Sequence, residues 1–513
     1  MKSFVIYFIL VFVFIVLSAD TTIPTGPVSG SWTSAGSPYQ IMGNINVASG
    51  DVLTIGPGVE VVFNGIYKLD VAGQILCNGV SDNIITFTAA DTLAGWSSIR
   101  LSNTGSGINL PSEFHYTNFS YAKAVNGTTG MDPLNFGGAV WADNAGTLTF
   151  DNCKFTRCKS SQDGSAIYAK NGTNVTMNDC TIKSCESGFF GGVFVKNGSA
   201  NIDNCIFLNN AATVFGAGLY FYECPASNVT SCHFIGNTAG AVTGIYGFDS
   251  PVVVKNSLFH GNSTVTGQGG GIGIIYGTLE VVNCTFEGNS SALGGGAFWL
   301  NSLDAQAQIT NTIFWNNEPS PISVTTASYN LAYCSLQSLE GDSTNIVCNP
   351  LLTDPPNGDF TLSAMSQCID VGTPDASALN LPLTDLGGMP RIVDGNNDNI
   401  ARIDIGCYEY QVPIENSDQY NTPSVVTVQN YPNPFIQSTS ISFFTPKASY
   451  LKLEVYNLKG QKVKTLLNGT VKEGSQSIIW DGKDELNKFT GKGIYLYKLE
   501  IDGRSLHKKM IKL

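Results

Sequence analysis

Short apolar segments bounded by Gly and Asn recur along the central part of the chain at an almost constant distance. A segment of the type N-C-x-F begins at positions that are 25 to 28 residues apart, namely Asn152, Asp179, Asn204, Ser231, Asn256, Asn283 and Asn311. A Gly-rich segment that runs into apolar residues lies between them, starting at Gly137, Gly164, Gly191, Gly216, Thr243, Gly269 and Gly294. A fixed period of this kind constrains the whole fold, because each repeat supplies one structural unit.

The repeated segments predict strands and turns. They are runs of three to five residues rich in Val, Ile, Phe, Thr and Tyr, and this composition is typical of short strands. A period near 26 is too short for a propeller blade of about 40 residues or a helical pair of about 33. The L-x-x-L-x-L pattern of leucine-rich repeats is absent. We therefore predict an all-β parallel β-helix, in which each turn supplies three strands that pair about 4.8 Å apart with their equivalents.

Two columns of apolar residues are expected to point into the core of this solenoid, because like side chains stacked coil over coil fill a narrow interior without voids. The first column comprises Val140, Ile167, Phe194, Leu219, Ile245, Ile272 and Phe298. The second comprises Phe155, Ile182, Phe207, Phe234, Phe259, Phe286 and Phe314.

Two sets of polar or small residues also recur in register. We predict a hydrogen-bonded Asn ladder at one bend, since stacked amides can satisfy backbone groups there; its members are Asn152, Asn204, Asn256, Asn283 and Asn311. A second set closes each turn, at Cys158, Cys185, Asn210, Asn237, Asn262, Asn289 and Asn317.

The cysteines follow the same repeat, with five of the 13 sharing one register: Cys153, Cys180, Cys205, Cys232 and Cys284. Stacked Cα atoms lie within disulfide range, but parallel Cβ directions strain such a bridge. We therefore predict buried free thiols, with disulfides as the alternative. No C-x-x-C occurs and the four His residues are scattered, so a zinc site is not expected.

An aromatic stripe is predicted on the outside of the solenoid. Side chains alternate along a strand, so the residues after the first column point outward, among them Trp141, Tyr168, Tyr220, Tyr246 and Trp299. One interpretation is a ligand-binding surface on which a glycan stacks. The other is a structural stack shielded by a loop, because ladders of like residues also stabilise sheets. Solvent exposure of these rings distinguishes the two.

The amino end predicts export. Residues 1–19 contain Lys2, a 14-residue apolar run and small residues before Asp20, which is the pattern of a signal peptide. An uncleaved anchor helix is the alternative, although a spanning helix needs about 20 apolar residues. No further stretch is long enough to cross a bilayer, so we expect no transmembrane segment in the mature chain.

Charge separates the carboxyl-terminal part from the rest. The 513 residues hold 27 Lys and Arg against 40 Asp and Glu, a net charge of −13, which argues against a nucleic-acid partner held through its phosphates. Residues 430–513 alone hold 14 basic and 7 acidic residues. Such asymmetry indicates at least two domains with separate roles.

The repeats resemble those of polymorphic outer-membrane and other right-handed parallel β-helix proteins of bacteria, which share the alternation of GG-[AV]-[IVF] with F-x-x-N. The resemblance covers roughly residues 130 to 340 and implies the right-handed fold. It leaves function open, since this scaffold carries adhesins, lyases and structural proteins.

The carboxyl end resembles the sorting domain of type IX secretion cargo. It carries YPNPF from Tyr431, VYNLKGQKV from Val455, W-D-G at Trp480, G-x-Y-x-Y-x-L from Gly493 and a basic KKMIKL end. The resemblance implies a small Ig-like β-sandwich that the type IX secretion machinery recognises and then removes. The protein would be released or kept on the outer-membrane surface. An Ig-like domain used for adhesion is the alternative.

These features divide the chain into a signal peptide (1–19), a parallel β-helix (20–347), an end cap (348–410), a linker (411–429) and a sorting domain (430–513). Segments following Cys368 and Asp385 resemble those that follow β-helices in many secreted bacterial proteins. A solenoid needs its open end covered, which is why we predict a cap there.

The predicted cap contains a candidate calcium loop, formed by Asp394, Asn396, Asp398, the Ile400 carbonyl and Asp404. Oxygen ligands at positions 1, 3, 5 and 7 resemble an EF-hand loop. The loop departs from that pattern by Asn399 at position 6, Arg402 at position 9 and its last acid at position 11. The alternative is an Asn- and Asp-rich turn without an ion; no other cofactor is expected.

We predict a non-catalytic protein that binds a glycan or another surface ligand. The alternative is a polysaccharide lyase or glycoside hydrolase on the central coils. Its residues would be Lys154, Lys183 and Asp179, together with Asp151 and Asp203. A hydrolase needs two carboxylates about 5 to 9.5 Å apart, and acids one coil apart can supply them.

Overall fold

The computed structural model describes residues 20–102, 111–125, 127–338, 342–412, 428–431, 435, 437–445, 449–457, 460–472, 474–501 and 504–512. Regular structure in these ranges is almost entirely β-strand, with four short 3-10 helices at Ser34–Gly36, Pro133–Asn135, Pro355–Asn357 and Ala376–Leu379. None of the helices in these ranges is long and apolar enough to span a membrane. The predicted signal peptide and most of the predicted linker lie outside the described residues.

Most strands form a parallel solenoid in which every coil contributes in turn to three sheets, here called sheets I, II and III. Sheet I has fourteen strands: Thr21–Ile23, Tyr39–Ile41, Glu60–Phe63, Ile85–Ala89, Thr117–Ser120, Lys154–Thr156, Thr181–Lys183, Ile206–Leu208, His233–Ile235, Leu258–His260, Thr285–Glu287, Ile313–Trp315, Ser335–Leu336 and Ile346–Val347. Sheet II has twelve: Gly26–Pro27, Ile45–Val47, Leu69–Val71, Ile99–Ser102, Val140–Asp143, Ile167–Lys170, Val193–Lys196, Leu219–Tyr222, Ile245–Phe248, Ile272–Ile275, Phe298–Asn301 and Ile322–Thr325. Sheet III has twelve: Gly30–Trp32, Val52–Ile55, Gln74–Asn78, Ser112–His115, Thr147–Asp151, Asn174–Asn178, Ala200–Asp203, Ser227–Thr230, Val252–Lys255, Thr278–Val282, Gln306–Thr310 and Ser328–Ala332.

The middle coils have a fourth side, because a short strand is inserted between sheets I and II. This sheet IV has six parallel strands: Lys123–Ala124, Lys159–Ser160, Glu186–Ser187, Ala211–Phe215, Thr238–Ala241 and Ser263–Thr264. The inserted strands create an additional corner on each of these coils.

The predicted coil-over-coil register is confirmed by the second apolar column. Phe207 pairs with Phe234 across adjacent strands, and their ring centroids lie 4.7 Å apart at an angle of 2°. Phe234 and Phe259 continue the stack at 4.6 Å. All of these rings are buried, so the column fills the core as expected.

One member of the first apolar column was predicted wrongly. Val193 pairs with Ile167 and points inward, whereas Phe194 pairs with Tyr168 and lies on the outer face of sheet II. The step from the repeat glycine to the strand is one residue shorter here, from Gly191 to Val193, than in the preceding coil, from Gly164 to Ile167. A one-residue slip moves a side chain to the opposite face.

A continuous Asn ladder lies at the second register, whereas the predicted register forms only isolated bonds between coils, such as the one from Asn311 Nδ2 to Asn283 Oδ1 at 3.0 Å. The amide Nδ2 of Asn237 donates to Oδ1 of Asn262 at 2.9 Å and to the Phe207 carbonyl at 2.9 Å. The same pattern runs through Asn210, Asn237, Asn262, Asn289 and Asn317. The predicted ladder residues instead have positive φ, near 50°, and they bend the backbone because Asn tolerates this conformation.

The cysteines are free thiols, as predicted, and all except the partly exposed Cys348 are buried. In the shared register the Sγ atoms of Cys180, Cys205 and Cys232 each accept a hydrogen bond from the backbone of the previous coil, as in the 3.4 Å contact from Cys153 N to Cys180 Sγ. The cysteine column therefore packs as small apolar side chains.

The segment predicted to cover the open end of the solenoid packs along its side. The Asn283 side chain donates to the Asp404 carbonyl at 2.9 Å, and Gly406 N donates to the Asn311 carbonyl at 2.8 Å. Outward-facing Ile313 is buried against residues of this segment, namely Leu362, Cys368, Ile369 and Ile405. We call residues 348–410 the side strap, because these contacts follow the outer face of sheet I.

The chain divides into two units after Pro413. The second unit has a three-stranded antiparallel sheet of Val428–Tyr431, Thr439–Thr445 and Gly474–Trp480, and a four-stranded sheet of Ser449–Asn457, Lys462–Val471, Gly493–Ile501 and Arg504–Lys512. Both sheets enclose one core that includes Phe443, Leu453, Trp480 and Tyr497. This arrangement agrees with the predicted small β domain.

Candidate functional site

The outer face of sheet II carries two parallel rows of side chains. The first row comprises Trp141, Tyr168, Phe194, Tyr220, Tyr246, Gly273 and Trp299. The second row lies two residues further along each strand and comprises Asp143, Lys170, Lys196, Tyr222, Phe248, Ile275 and Asn301. Both rows point outward because the residues between them face the core.

Most of the first row, which is the predicted aromatic stripe, is covered. Trp141 and Tyr168 are 8% exposed, Tyr220 is 4% exposed and Tyr246 is 3% exposed. The segments that lead into sheet II lie over the rings and contribute apolar residues, namely Phe136, Phe190, Phe215 and Val242. Trp299 is partly exposed. These positions favour the interpretation of the row as a shielded structural stack.

A glycine interrupts the covered row. A Cβ atom at Gly273 would lie 2.3 Å from the Val242 side chain, so Val242 occupies the place of a ring on this coil. Trp299, one coil later, is consequently separated from the stack below it and lies at the edge of the covered row.

The amino-terminal end of the second row is polar. Lys170 Nζ lies 3.1 Å from Asp143 Oδ2, and the Asn171 amide donates to Asp143 Oδ1 at 2.7 Å. The Arg100 guanidinium lies 4.1 Å from the Trp141 ring centroid, and burial lowers its pKa. At this end the charge of Lys170 is therefore paired with Asp143, and the charge of Arg100 lies against the Trp141 ring.

The middle of the second row holds two partly exposed aromatic residues, Tyr222 and Phe248. Tyr222 and Phe248 stack at 5.0 Å with an angle of 7°, and Lys196 Nζ lies 4.5 Å from the Tyr222 ring centroid. Tyr276 packs edge-on against Phe248 at 5.6 Å and is 49% exposed. We call these residues together with Ile275, Glu223 and Asp249 the exposed patch.

Backbone geometry holds the exposed patch in place. Tyr276 has a φ of 54°, and the equivalent residues on earlier coils, Glu223 and Asp249, have φ of 52° and 46°. A large non-glycine residue with positive φ is uncommon, and such strain often persists at functional positions. The Asn197 amide donates to Glu223 Oε2 at 3.0 Å, which orders the polar margin.

Asp163 lies at the junction of the covered row and the second row. Burial raises the pKa of its carboxyl to about 7, although a hydrogen bond from the Phe190 backbone and the charge of Lys196 lower it. Its negative charge in turn contributes to the raised pKa of Tyr168 and of Tyr220. Asp163 is thus a titratable group beside the aromatic face.

The residues of the enzymatic alternative are distributed over different faces. Lys154 and Lys183 share the outer face of sheet I, whereas Asp151 and Asp203 lie at the ends of sheet III strands. Asp179 follows sheet III, and its backbone N–H donates to the Asp203 carbonyl at 3.2 Å. Burial, followed by the charge of Asp179, raises the pKa of Asp203. The structure therefore brings Asp179 and Asp203 together.

The candidate calcium loop is closed by its own backbone. Asp394 Oδ2 accepts from Asn399 N at 2.8 Å, and Asp398 Oδ1 accepts from Ile400 N at 2.8 Å. Asn396 Oδ1 accepts from Asp398 N at 2.8 Å. These are contacts of an Asx-rich turn.

The last predicted calcium ligand, Asp404, has a structural environment of its own. Its two carboxylate oxygens accept from Asp370 N at 2.7 Å and Tyr410 N at 2.6 Å. Within the described ranges, no three His, Cys, Asp or Glu residues are grouped so as to hold a metal ion. Calcium binding by this loop stays a prediction from the sequence.

Sequence reasoning missed the exposed patch although its signal was present. Alternation along the strand predicts outward positions at both the first and the third residue after an inward one. The predicted stripe included only the first of these two positions, and Tyr222 and Phe248 were therefore overlooked. Tyr276 has a weaker signal, since it follows the strand at a bend.

Two family profiles match the chain. The right-handed beta helix region matches residues 73–278 and 137–314, and the secretion system C-terminal sorting domain matches residues 429–513. No curated protein matches.

Three solved structures show limited similarity. Latent PorU from Porphyromonas gingivalis is 26% identical over 18% of this chain and 10% of that protein, with a TM-score of 0.17. The enzymatically active domain of tailspike protein 4 from bacteriophage CBA120 is 10% identical, with 97% of this chain and 64% of that domain covered and a TM-score of 0.30. Pectate lyase Pel9A is 13% identical, with 77% of this chain and 98% of the lyase covered and a TM-score of 0.26.

The parallel register of the coils, the antiparallel carboxyl-terminal unit and the two profiles agree with one another. The chain is a right-handed parallel β-helix repeat protein with a carboxyl-terminal sorting domain of type IX secretion, and thus a secreted or cell-surface protein.

Proposed function

We propose that this secreted or cell-surface protein is non-catalytic and binds a glycan chain along the exposed patch of sheet II. The observation that carries the proposal is the partly exposed aromatic row of Tyr222, Phe248 and Tyr276. Exposed apolar surface rimmed by polar residues is typical of interaction sites.

The chemistry of the exposed patch suits a sugar. Aromatic rings contact the C–H faces of a saccharide, and Lys196, Glu223 and Asp249 supply charged groups that hydrogen-bond to hydroxyls. Successive coils repeat about every 4.8 Å, which is close to the length of one sugar unit. A chain lying along the solenoid axis would therefore meet similar groups at each step.

A binding assay with the full chain tests this proposal. We expect one or more neutral polysaccharides, taken from a panel of plant and algal glycans, to retard the protein in affinity electrophoresis. Tyr276→Ala and Phe248→Ala should each weaken retention by about tenfold, equivalent to about 1.4 kcal/mol.

Tyr450→Ala is the matched control, because Tyr450 is 60% exposed on the carboxyl-terminal unit. Equal retention of the wild type and both patch variants, or an equal loss in Tyr450→Ala, would contradict the proposal.

Catalysis is a second candidate function, favoured by the adjacent Asp179 and Asp203. A carboxyl with a raised pKa beside a second carboxylate is the pairing that glycoside hydrolysis uses. Incubation with the same panel should then release reducing ends, and Asp203→Asn and Asp179→Asn should abolish the release. Unsaturated products that depend on Lys154 or Lys183 would indicate a lyase instead.

We also propose that the type IX secretion machinery recognises residues 430–513 and that this domain is removed after export. The protein recovered outside the cell should then begin at Asp20 and lack the carboxyl-terminal unit. Intact-mass measurement of the secreted protein tests both ends, and a full-length mass would contradict the removal.

A further inference from the structure

A cavity of about 370 Å³ opens at the corner between sheets I and IV. It lies on another side of the solenoid from the exposed patch, beside the amino-terminal strands of sheet IV. Its lining residues are Thr92, Tyr121, Lys123, Arg157, Cys158, Lys159, Ser184 and Glu186. A volume of this size is within the usual range for small-ligand sites.

The cavity carries an excess of positive charge in an acidic protein. Lys159 Nζ pairs with Glu186 Oε2 at 3.1 Å, whereas the Lys123 ammonium donates to the Leu93 carbonyl. Among the described residues, no carboxylate lies within ion-pair distance of Lys123 or Arg157. The chain has 40 acidic and 27 basic residues, so two cations left without an acid at a cavity are available to an external anion.

The backbone at this corner holds large side chains in a costly conformation. Tyr121 and Arg157 have φ of 58° and 54°. The next coil places Ser184 there with φ of 53°, and the coils after it place residues that tolerate positive φ, namely Asn209, Gly236, Gly261, Gly288 and Asn316. Large side chains at positions where Asn or Gly would relieve strain point to a role beyond folding.

Tyr121 and Arg157 form one binding surface. Arg157 Nη1 lies 2.9 Å from the Tyr121 hydroxyl, and the guanidinium carbon lies 5.8 Å from the ring centroid. The guanidinium has five N–H donors in a planar fork that matches carboxylate and sulfate oxygens. The Tyr121 ring and the hydroxyls of Thr92 and Ser184 add the apolar face and polar groups that a sugar needs.

We propose that this cavity binds an acidic sugar unit, whose carboxylate or sulfate group pairs with Arg157 and Lys123 while its ring packs against Tyr121. This site is separate from the exposed patch, and neither binding event requires the other.

Titration calorimetry on the full chain tests the site with four probes: trigalacturonate, a chondroitin sulfate hexasaccharide, maltotriose and inorganic sulfate. We expect at least one of the two acidic saccharides to bind about tenfold more tightly than maltotriose and inorganic sulfate, with an affinity that falls as salt is raised. The first two probes distinguish a carboxylate from a sulfate as the recognised group.

Arg157→Gln and Lys123→Gln should each reduce that affinity by about tenfold. Lys492→Gln is the matched control, since it removes an exposed cation from the carboxyl-terminal unit. Thermal unfolding of each variant establishes that it is folded, and Lys123→Gln leaves the strained position untouched.

Three outcomes would overturn the proposal. One is the absence of binding by either acidic saccharide, and another is an equal loss in Lys492→Gln. The third is binding of inorganic sulfate as tight as that of the saccharides, which would refute the sugar assignment.

Discussion

One carboxyl group beside the aromatic face, that of Asp163, makes the stability of the protein depend on pH. Asp163 faces Lys196, Tyr168 and Tyr220, and burial raises its pKa from 3.8 to about 7. Because the folded chain holds this proton more tightly than the unfolded chain, the Asp163 contribution to stability falls as pH rises from about 4 to about 7.

We predict that Asp163→Asn removes this pH dependence. At pH 8 the variant should be more stable than the wild type by about 2 to 4 kcal/mol, since one pKa unit corresponds to about 1.4 kcal/mol. At pH 4 the two should differ little. Urea unfolding at both pH values measures this, with exposed Asp249→Asn as the control. An unchanged difference between the wild type and Asp163→Asn across this range would refute the prediction.

Cys348 is the one partly exposed thiol among thirteen. Its Sγ lies 4.0 Å from Cys368 Sγ and 3.3 Å from Ser335 Oγ. The hydrogen bond from Cys368 lowers the pKa of Cys348 to about 6, against the opposing effect of burial. The thiolate is the reactive form of cysteine.

We predict that iodoacetamide modifies Cys348 first in the folded protein at pH 7. One adduct should form rapidly, and Cys348→Ser should prevent it, because the other thiols are buried. Intact-mass and peptide analysis measure the reaction. Rapid addition at several cysteines, or at none, would contradict the assignment.

At the scale of single elements, the Asn ladder forms a continuous row of buried side-chain hydrogen bonds along the solenoid. Asn237 Oδ1 accepts from the backbone N–H of Asn210 at 2.9 Å and from its side-chain amide at 3.0 Å. Asn237 Nδ2 donates to Phe207 O and Asn262 Oδ1. All these groups are buried, so a break leaves polar atoms without partners on both neighbouring coils.

Asn237→Ala should therefore destabilise the protein by about 2 to 4 kcal/mol, because each orphaned buried polar group costs about 1 to 3 kcal/mol. The exposed strand residue Asn228 is the control, and Asn228→Ala should change stability by less than about 0.5 kcal/mol. Urea unfolding curves measure both variants. Equal, small effects would show that the ladder does not stabilise the coils.

At the scale of the whole molecule, the side strap ties the carboxyl-terminal end of the solenoid together. Arg391 Nη1 lies 2.7 Å from Glu409 Oε1, and both side chains are almost fully buried. Arg391 also donates to the Asn256 side chain on the solenoid. Removing one partner of a buried ion pair costs more than replacing both, because one charge is left buried without compensation.

We predict that Arg391→Met lowers the free energy of unfolding by about 3 to 5 kcal/mol. The double variant Arg391→Met/Glu409→Leu should recover much of this loss, since neither charge is then buried. A double-mutant cycle from urea unfolding gives the coupling between the two sites. A double variant less stable than Arg391→Met would contradict this account.

Much of the fold was predictable from the sequence because the repeat is local and in register. The Phe207 to Phe234 spacing already implies that their rings stack, since identical segments one coil apart pair at about 4.8 Å. The Phe194 error arose at a bend. A bend can lose one residue without a change in composition, and this shift reverses the side chains that follow.

The sequence by itself determined the coil, its apolar columns and the sorting domain, since each depends on residues that recur or follow in a fixed order. Only the tertiary structure decided which outward row is accessible. Tyr168 and Tyr220 are covered because Phe136 and Phe190, from segments outside the repeated strands, pack against them. The side strap likewise depends on contacts between residues far apart in the chain, which periodicity does not encode.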